Sequence, residues 1–158
     1  MKGGSSGMKD TRIAGGRVAG ILLIEDDPDD AETTRRAFAR AKIGNPITVV
    51  GSGEAALDLL TPRSDQRGQA TIDLVLLDLG LPKLDGRGVL REIWADKRLR
   101  HIPIIVLTGS RREDDLIDAY KGGAVRFLQK PVDVGHLLIA IGDLYGFQLL
   151  ILRTPDGL

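Results

Sequence analysis

Ile21-Leu22-Leu23-Ile24-Glu25-Asp26-Asp27-Pro28-Asp29-Asp30 passes from an apolar run through a block of acids to a proline. The apolar run shows no polar alternation, so both of its faces are expected to be buried, as in a parallel strand. Proline is favoured at the first position of a helix, which makes Asp27 the expected N-cap. Asp29 and Asp30 then fall in the first turn and suit the positive end of the helix dipole. A buried strand running straight into a capped helix is one βα unit.

The same unit recurs along the chain. Strands are expected at Ile21–Ile24, Ile47–Val50, Leu74–Leu77, Ile104–Leu107 and Val125–Leu128. Helices are expected at Pro28–Ala41, Gly53–Leu60, Gly86–Ala95, Arg111–Lys121 and Asp133–Tyr145. Ser52 reads as the cap of the second helix, and Ser110-Arg111-Arg112-Glu113 as a capping box for the fourth. Phe38 and Trp94 read as core. Such alternation predicts a doubly wound α/β sandwich.

Composition narrows the function. The 158 residues carry 22 Lys+Arg and 22 Asp+Glu, so no basic field favours nucleic acid or an anionic membrane. Cysteine is absent, which excludes disulfides, thiolate catalysis and Cys-ligated zinc. Met1 to Gly16 has no apolar core, so it is no signal peptide. Residues 1–18 read as a flexible leader or cloning scar, with Met8 a candidate native start. No stretch is apolar enough over about 20 residues to span a bilayer, and a cytoplasmic protein is expected.

Ligands of an open parallel sheet sit beyond the carboxyl ends of its strands. Four such ends carry Glu25-Asp26, Asp78, Thr108 and Lys130-Pro131. Asp27, Asp29 and Asp30 are accounted for by the helix; Glu25, Asp26 and Asp78 are not. Clustered carboxylates repel unless a cation intervenes. A hard cation such as magnesium accepts a few carboxylates, waters and phosphate oxygens, and Lys130 adds a fixed positive charge. A cis Lys130–Pro131 bond is expected to aim the lysine inward. Gly109 leaves room beside the site. His101 and His136 read as surface or packing residues.

The motifs Leu-Leu-Ile-Glu-Asp-Asp, Leu-Val-Leu-Leu-Asp-Leu-Gly-Leu-Pro, Val-Leu-Thr-Gly-Ser and Phe-Leu-Gln-Lys-Pro stand in that order. Together they resemble the receiver domain of two-component response regulators, over nearly all of Gly20 to Tyr145. The resemblance implies a flavodoxin-like (βα)5 three-layer sandwich with sheet order 2-1-3-4-5. It makes residues 19–146 the receiver domain. It implies that Asp78 accepts a phosphoryl group from a sensor histidine kinase. Asp26 and Asp78 would ligate Mg2+, with the Gly80 carbonyl as a further ligand and Glu25 acting through a water. Thr108 and Lys130 would contact phosphoryl oxygens, and Thr108 with Phe127 would form the switch. Gly80 offers no side chain to tune dephosphorylation, and Phe127 lacks the commoner tyrosine's hydroxyl.

The stretch Leu99 to Asp115 and the insertion at Arg63 to Gly68 resemble the stand-alone regulators of bacterial phytochrome kinases. That resemblance implies a light-sensing kinase as donor. The chain shows no output domain, so action through protein contact is expected. The apolar residues from Leu137 to Leu152 exceed one helical stripe. They are covered either by packing of the tail on its own domain or, the favoured reading, by a homodimer through the fourth helix, fifth strand and fifth helix, with residues 147–158 as an arm. No enzymatic activity is expected beyond the domain's own phosphorylation and dephosphorylation. The rival readings are a phosphate-independent assembly module of the same fold, an aspartyl phosphatase and a flavin protein. The phosphatase lacks its second acid, because position 80 is glycine; the flavin protein is opposed by the acidic end of the first strand.

Overall fold

The computed structural model describes residues 19–61, 72–80, 86–109 and 126–145, with side chains described as far as residue 142. Five strands lie among the described residues: β1 (Ile21–Ile24), β2 (Ile47–Val50), β3 (Leu74–Asp78), β4 (Ile104–Thr108) and β5 (Arg126–Gln129). The described helices are α1 (Pro28–Arg40), α2 (Gly53–Leu60), α3 (Gly86–Ala95) and α4 (Val134–Tyr145). The strands form one sheet in the order β2-β1-β3-β4-β5, and every neighbouring pair is parallel. The helix expected over Arg111–Lys121, the tail from Gly146 and the leader through residue 18 lie outside the described residues.

The central strands read as continuous apolar runs because both faces are covered. Ile21, Leu23, Leu74, Leu76, Ile105 and Leu107 face one way, against Phe38 of α1 and Leu137 and Ile141 of α4. Leu22, Ile24, Val75, Leu77, Ile104 and Val106 face the other, against Ala56 and Leu60 of α2 and Val89, Leu90 and Ile93 of α3. Strand side chains alternate by one residue, so a single sheet feeds two cores. Each buried Leu or Ile contributes on the order of 1.5–3 kcal/mol.

The helix ends follow local chemistry. Asp27 caps α1, its Oδ1 accepting the N–H of Asp29 at 2.8 Å. Ser52 caps α2, its Oγ accepting the N–H of Ala55 at 3.1 Å. Asp133 lies just outside α4 and caps it, its Oδ2 accepting the N–H of His136 at 3.0 Å. Past α1, Lys42 takes a φ of 61°, the left-handed conformation that glycine adopts without cost.

Four expectations shift. Asp78 and Thr108 are the last residues of β3 and β4, not the residues after them. β5 runs through Gln129, which sets Lys130 directly after the strand. α1 ends at Arg40, with Ala41 as its C-cap. Trp94 is 40% exposed and so is not core, unlike Phe38 at 1%. Val89, Leu90 and Ile93 already fill the inward stripe of α3, and Trp94 follows Ile93 by one residue, about 100° around the helix.

Candidate phosphoryl and metal site

Parallel register aligns the strand ends. Ile24 pairs with Leu77, Asp78 with Leu107 and Thr108 with Gln129. Glu25, Asp78, Thr108 and Lys130 therefore emerge along one edge of the sheet. The N–H of Glu25 donates to the Val50 carbonyl at 2.9 Å, and that of Lys130 to the Thr108 carbonyl at 2.8 Å. The ladder thus reaches one residue beyond the strands and holds both side chains at their base. His101 lies on the surface, and His136 is exposed on α4.

Carboxylate oxygens of Glu25, Asp26 and Asp78 all lie within 4.8 Å of one another. Glu25 is 3% exposed and Asp78 6%, whereas Asp26 is exposed. Asp78 Oδ1 accepts the Gly80 N–H at 3.0 Å. Lys130 Nζ lies 2.8 Å from Glu25 Oε1, 2.9 Å from Asp30 Oδ2 and 3.2 Å from Asp78 Oδ2. One ammonium thus spans carboxylates from three elements. The Lys130–Pro131 bond is cis, as expected.

The electrostatics follow from burial. Burial pushes the Glu25 carboxyl up to about 7; Lys130 opposes the rise and the Asp78 carboxylate adds to it. Burial disfavours the Lys130 ammonium, but Glu25, Asp30 and Asp78 outweigh it and hold its pKa above the usual lysine value.

The donor set fits a hard divalent cation. All its atoms are carboxylate oxygens, two of the three residues are buried, and the exposed Asp26 leaves one side open to water. Oε1 of Glu25 is buried and has no hydrogen-bond partner among the described residues beyond its charge contact with Lys130. That lone-pair capacity suits a metal-bound water. A single lysine also leaves the carboxylates in excess, which a cation would offset.

The structure brings together Glu25, Asp26, Asp78 and Lys130, with Thr108 buried at the neighbouring strand end. Gly80 sits beside Asp78, and a Cβ there would lie 3.6 Å from Asp78 Oδ1, an ordinary contact. A Cβ on Gly109 would meet nothing within 4 Å. Phe127, opposite Val106, packs partly buried against the second core.

Sequence reasoning missed two residues. Asp30 was accounted for by the helix dipole alone, yet it contacts Lys130. The signal was there: Asp30 precedes the buried Thr34 by one helical turn, so it lies on the inward edge of α1. Gly86 is the second. A Cβ on it would lie 2.5 Å from Leu79 Cα and 2.6 Å from the Asp78 carbonyl oxygen. Its glycine lets α3 begin against the backbone that carries Asp78.

The profile of the response regulator receiver domain matches residues 21–142. The chain belongs to that family. The receiver is 38% identical over 135 residues to the probable methanogenesis regulatory protein FilR2 of Methanothrix harundinacea (strain 6Ac), covering 85% of this chain and 86% of that protein. It is 33% identical over 135 residues to the response regulator Rcp1 of Synechocystis sp. (strain ATCC 27184 / PCC 6803 / Kazusa), covering 85% and 92%. The solved Mn(2+)-bound form of Rcp1 superposes with a TM-score of 0.67 at 30% identity, over 86% of this chain and 99% of that one. The bacteriophytochrome response regulator AtBRR superposes with a TM-score of 0.72 at 41% identity, over 81% and 93%. Among the described residues no helix is long and apolar enough to cross a membrane.

Proposed function

We propose that this receiver accepts a phosphoryl group on Asp78 from a phosphohistidine of a sensor histidine kinase. The observation that carries the reading is the Lys130 ammonium set between Asp78 and Glu25, beside the exposed Asp26. An Asp78 carboxylate oxygen attacks phosphorus. The P–N bond to the donor imidazole breaks, its electrons return to the ring nitrogen, and that nitrogen takes up a proton. An acyl phosphate results. Positioning and charge neutralisation dominate such transfers.

Asp26 and Asp78 would hold Mg2+ directly, with the Gly80 carbonyl as a further ligand and Glu25 through a water. When bound, the ion supplies charge that draws the phosphoryl oxygens toward Asp78. Lys130 neutralises the growing negative charge, and the Thr108 hydroxyl donates to a phosphoryl oxygen. Thr108 and Phe127 form the switch that reports the phosphorylated state. The protein is a regulator and not an enzyme, and it signals in the cytoplasm by binding other proteins. The likeness to AtBRR supports a bacterial phytochrome as the light-sensing donor. Homodimer formation would use β5, α4, the segment 111–121 and the tail.

The test is intact-protein mass after incubation with acetyl phosphate and magnesium. A single phosphoryl adduct is expected in the wild type and none in Asp78→Asn. A folded wild type that gains no adduct would instead support a phosphate-independent assembly module.

A further inference from the structure

Lys130 already has three carboxylate neighbours before a phosphoryl group arrives, at 2.8, 2.9 and 3.2 Å. An ammonium has three N–H donors. Two of them bond Asp30 and Asp78, and Glu25 holds the ammonium by charge, so a phosphoryl oxygen would be a fourth oxygen neighbour crowded onto three donors, and one carboxylate contact is given up. The side chain of Glu25 is 0% exposed, and releasing it would strand a buried, unpaired carboxylate, the costly case. Asp78 itself carries the phosphoryl group. The side chain of Asp30 is 44% exposed, so water can take the lysine's place at little cost.

We propose that Asp30 is a positioning residue, the releasable partner that draws Lys130 toward α1 in the unphosphorylated protein and yields it to the phosphoryl group on Asp78. The inference rests on the phosphoacceptor reading above. Asp30, Thr33 and Thr34 of α1 face Lys130, Pro131 and Val132 across one crevice. Asp30 and Lys130 are the charged members of that set, and their ion pair links the first turn of α1 to the loop after β5. Phosphorylation would sever that ion pair and leave the N-terminus of α1 and the loop joined by the apolar packing of Ala31 and Val132. Asp30 also competes with the incoming group for the lysine, and its removal speeds phosphorylation.

The test uses Asp30→Ala, with Asp29→Ala as control. Asp29 lies on the same turn, is exposed, and donates its N–H to the Asp27 cap. Removing either acid takes one negative charge from the helix N-terminus; only Asp30 contacts Lys130. Acyl-phosphate formation from acetyl phosphate with magnesium is followed by intact mass. The Lys130 ammonium is followed by 1H–15N NMR in the unphosphorylated protein, where backbone amide spectra also verify folding. Asp30→Ala should phosphorylate about two- to fivefold faster than wild type, the range of one part-exposed ion pair, and should shift the Lys130 signal. Asp29→Ala should do neither. Equal rates in Asp30→Ala and a wild type that labels normally would overturn the proposal and leave the acceptor role of Asp78 standing. Equal acceleration in both variants, or an unmoved Lys130 signal, would overturn it as well. A folded wild type that never labels would remove both readings.

Discussion

Glu25→Gln in metal-free protein tests the electrostatics of the site most directly. The Glu25 carboxyl titrates near 4.5 when unfolded and at about 7 when folded, chiefly because it is buried. Between those values the folded state binds the proton more tightly than the unfolded state. The stabilisation that this proton provides is complete below pH 4.5 and is lost as pH rises through about 7. At about 1.4 kcal/mol per pH unit, the interval from 4.5 to about 7 corresponds to on the order of 3–4 kcal/mol, with the Asp78 and Lys130 charges sharing in it. Glutamine keeps the shape and cannot ionise. Urea unfolding in EDTA from pH 4.5 to 8, followed by the fluorescence of the lone Trp94, should show wild type losing stability relative to Glu25→Gln as pH rises. Other groups titrate in both proteins, so the difference curve isolates Glu25. Magnesium should narrow the gap at neutral pH, because a cation bound only by the folded state stabilises it by mass action and wild type offers it the better site. A difference curve that stays flat across the interval would refute the argument.

Two further predictions concern backbone geometry. Gly86→Ala places a Cβ 2.5 Å from Leu79 Cα and 2.6 Å from the Asp78 carbonyl oxygen. Both are backbone atoms, so no rotamer change relieves the clash. Overpacking of about 1–3 kcal/mol or more outweighs the gain of about 1 kcal/mol in helix propensity. Urea unfolding should show a clear loss of stability, and an unchanged midpoint would count against the docking of α3 on that backbone. Lys42→Gly relieves a non-glycine residue at φ 61° and should raise stability by about 1 kcal/mol; thermal unfolding would register the gain, and a fall would contradict it.

Much of this architecture could be read directly from short-range pattern. Apolar runs without alternation marked strands buried on both faces, and the observed elements at Ile47–Val50, Gly53–Leu60 and Gly86–Ala95 have the expected bounds. Asp27 and Ser52 were identifiable as caps because a cap and the N–H groups it accepts lie within three residues of each other. The alternation of strand and helix implied a doubly wound sheet, but the order of its strands came from the family resemblance. Asp78 and Lys130 could be picked out because their strands end in one direction.

What remained hidden depends on contacts between distant parts of the chain. The pair of Asp30 and Lys130 spans 100 residues, and it exists because the first core seats both α1 and α4 on one face of the sheet. The requirement for glycine at position 86 arises where α3 crosses the end of β3. Trp94 is exposed because its neighbours already fill the inward stripe of α3. The sequence alone determined the succession of strands, the caps Asp27 and Ser52 and which residues stand at the strand ends, since hydrogen-bond reach and side-chain period act over a few residues. The tertiary structure decided which charges share one ammonium, where backbones touch and which apolar side chains stay outside, since those depend on how the sheet register and the helices dock.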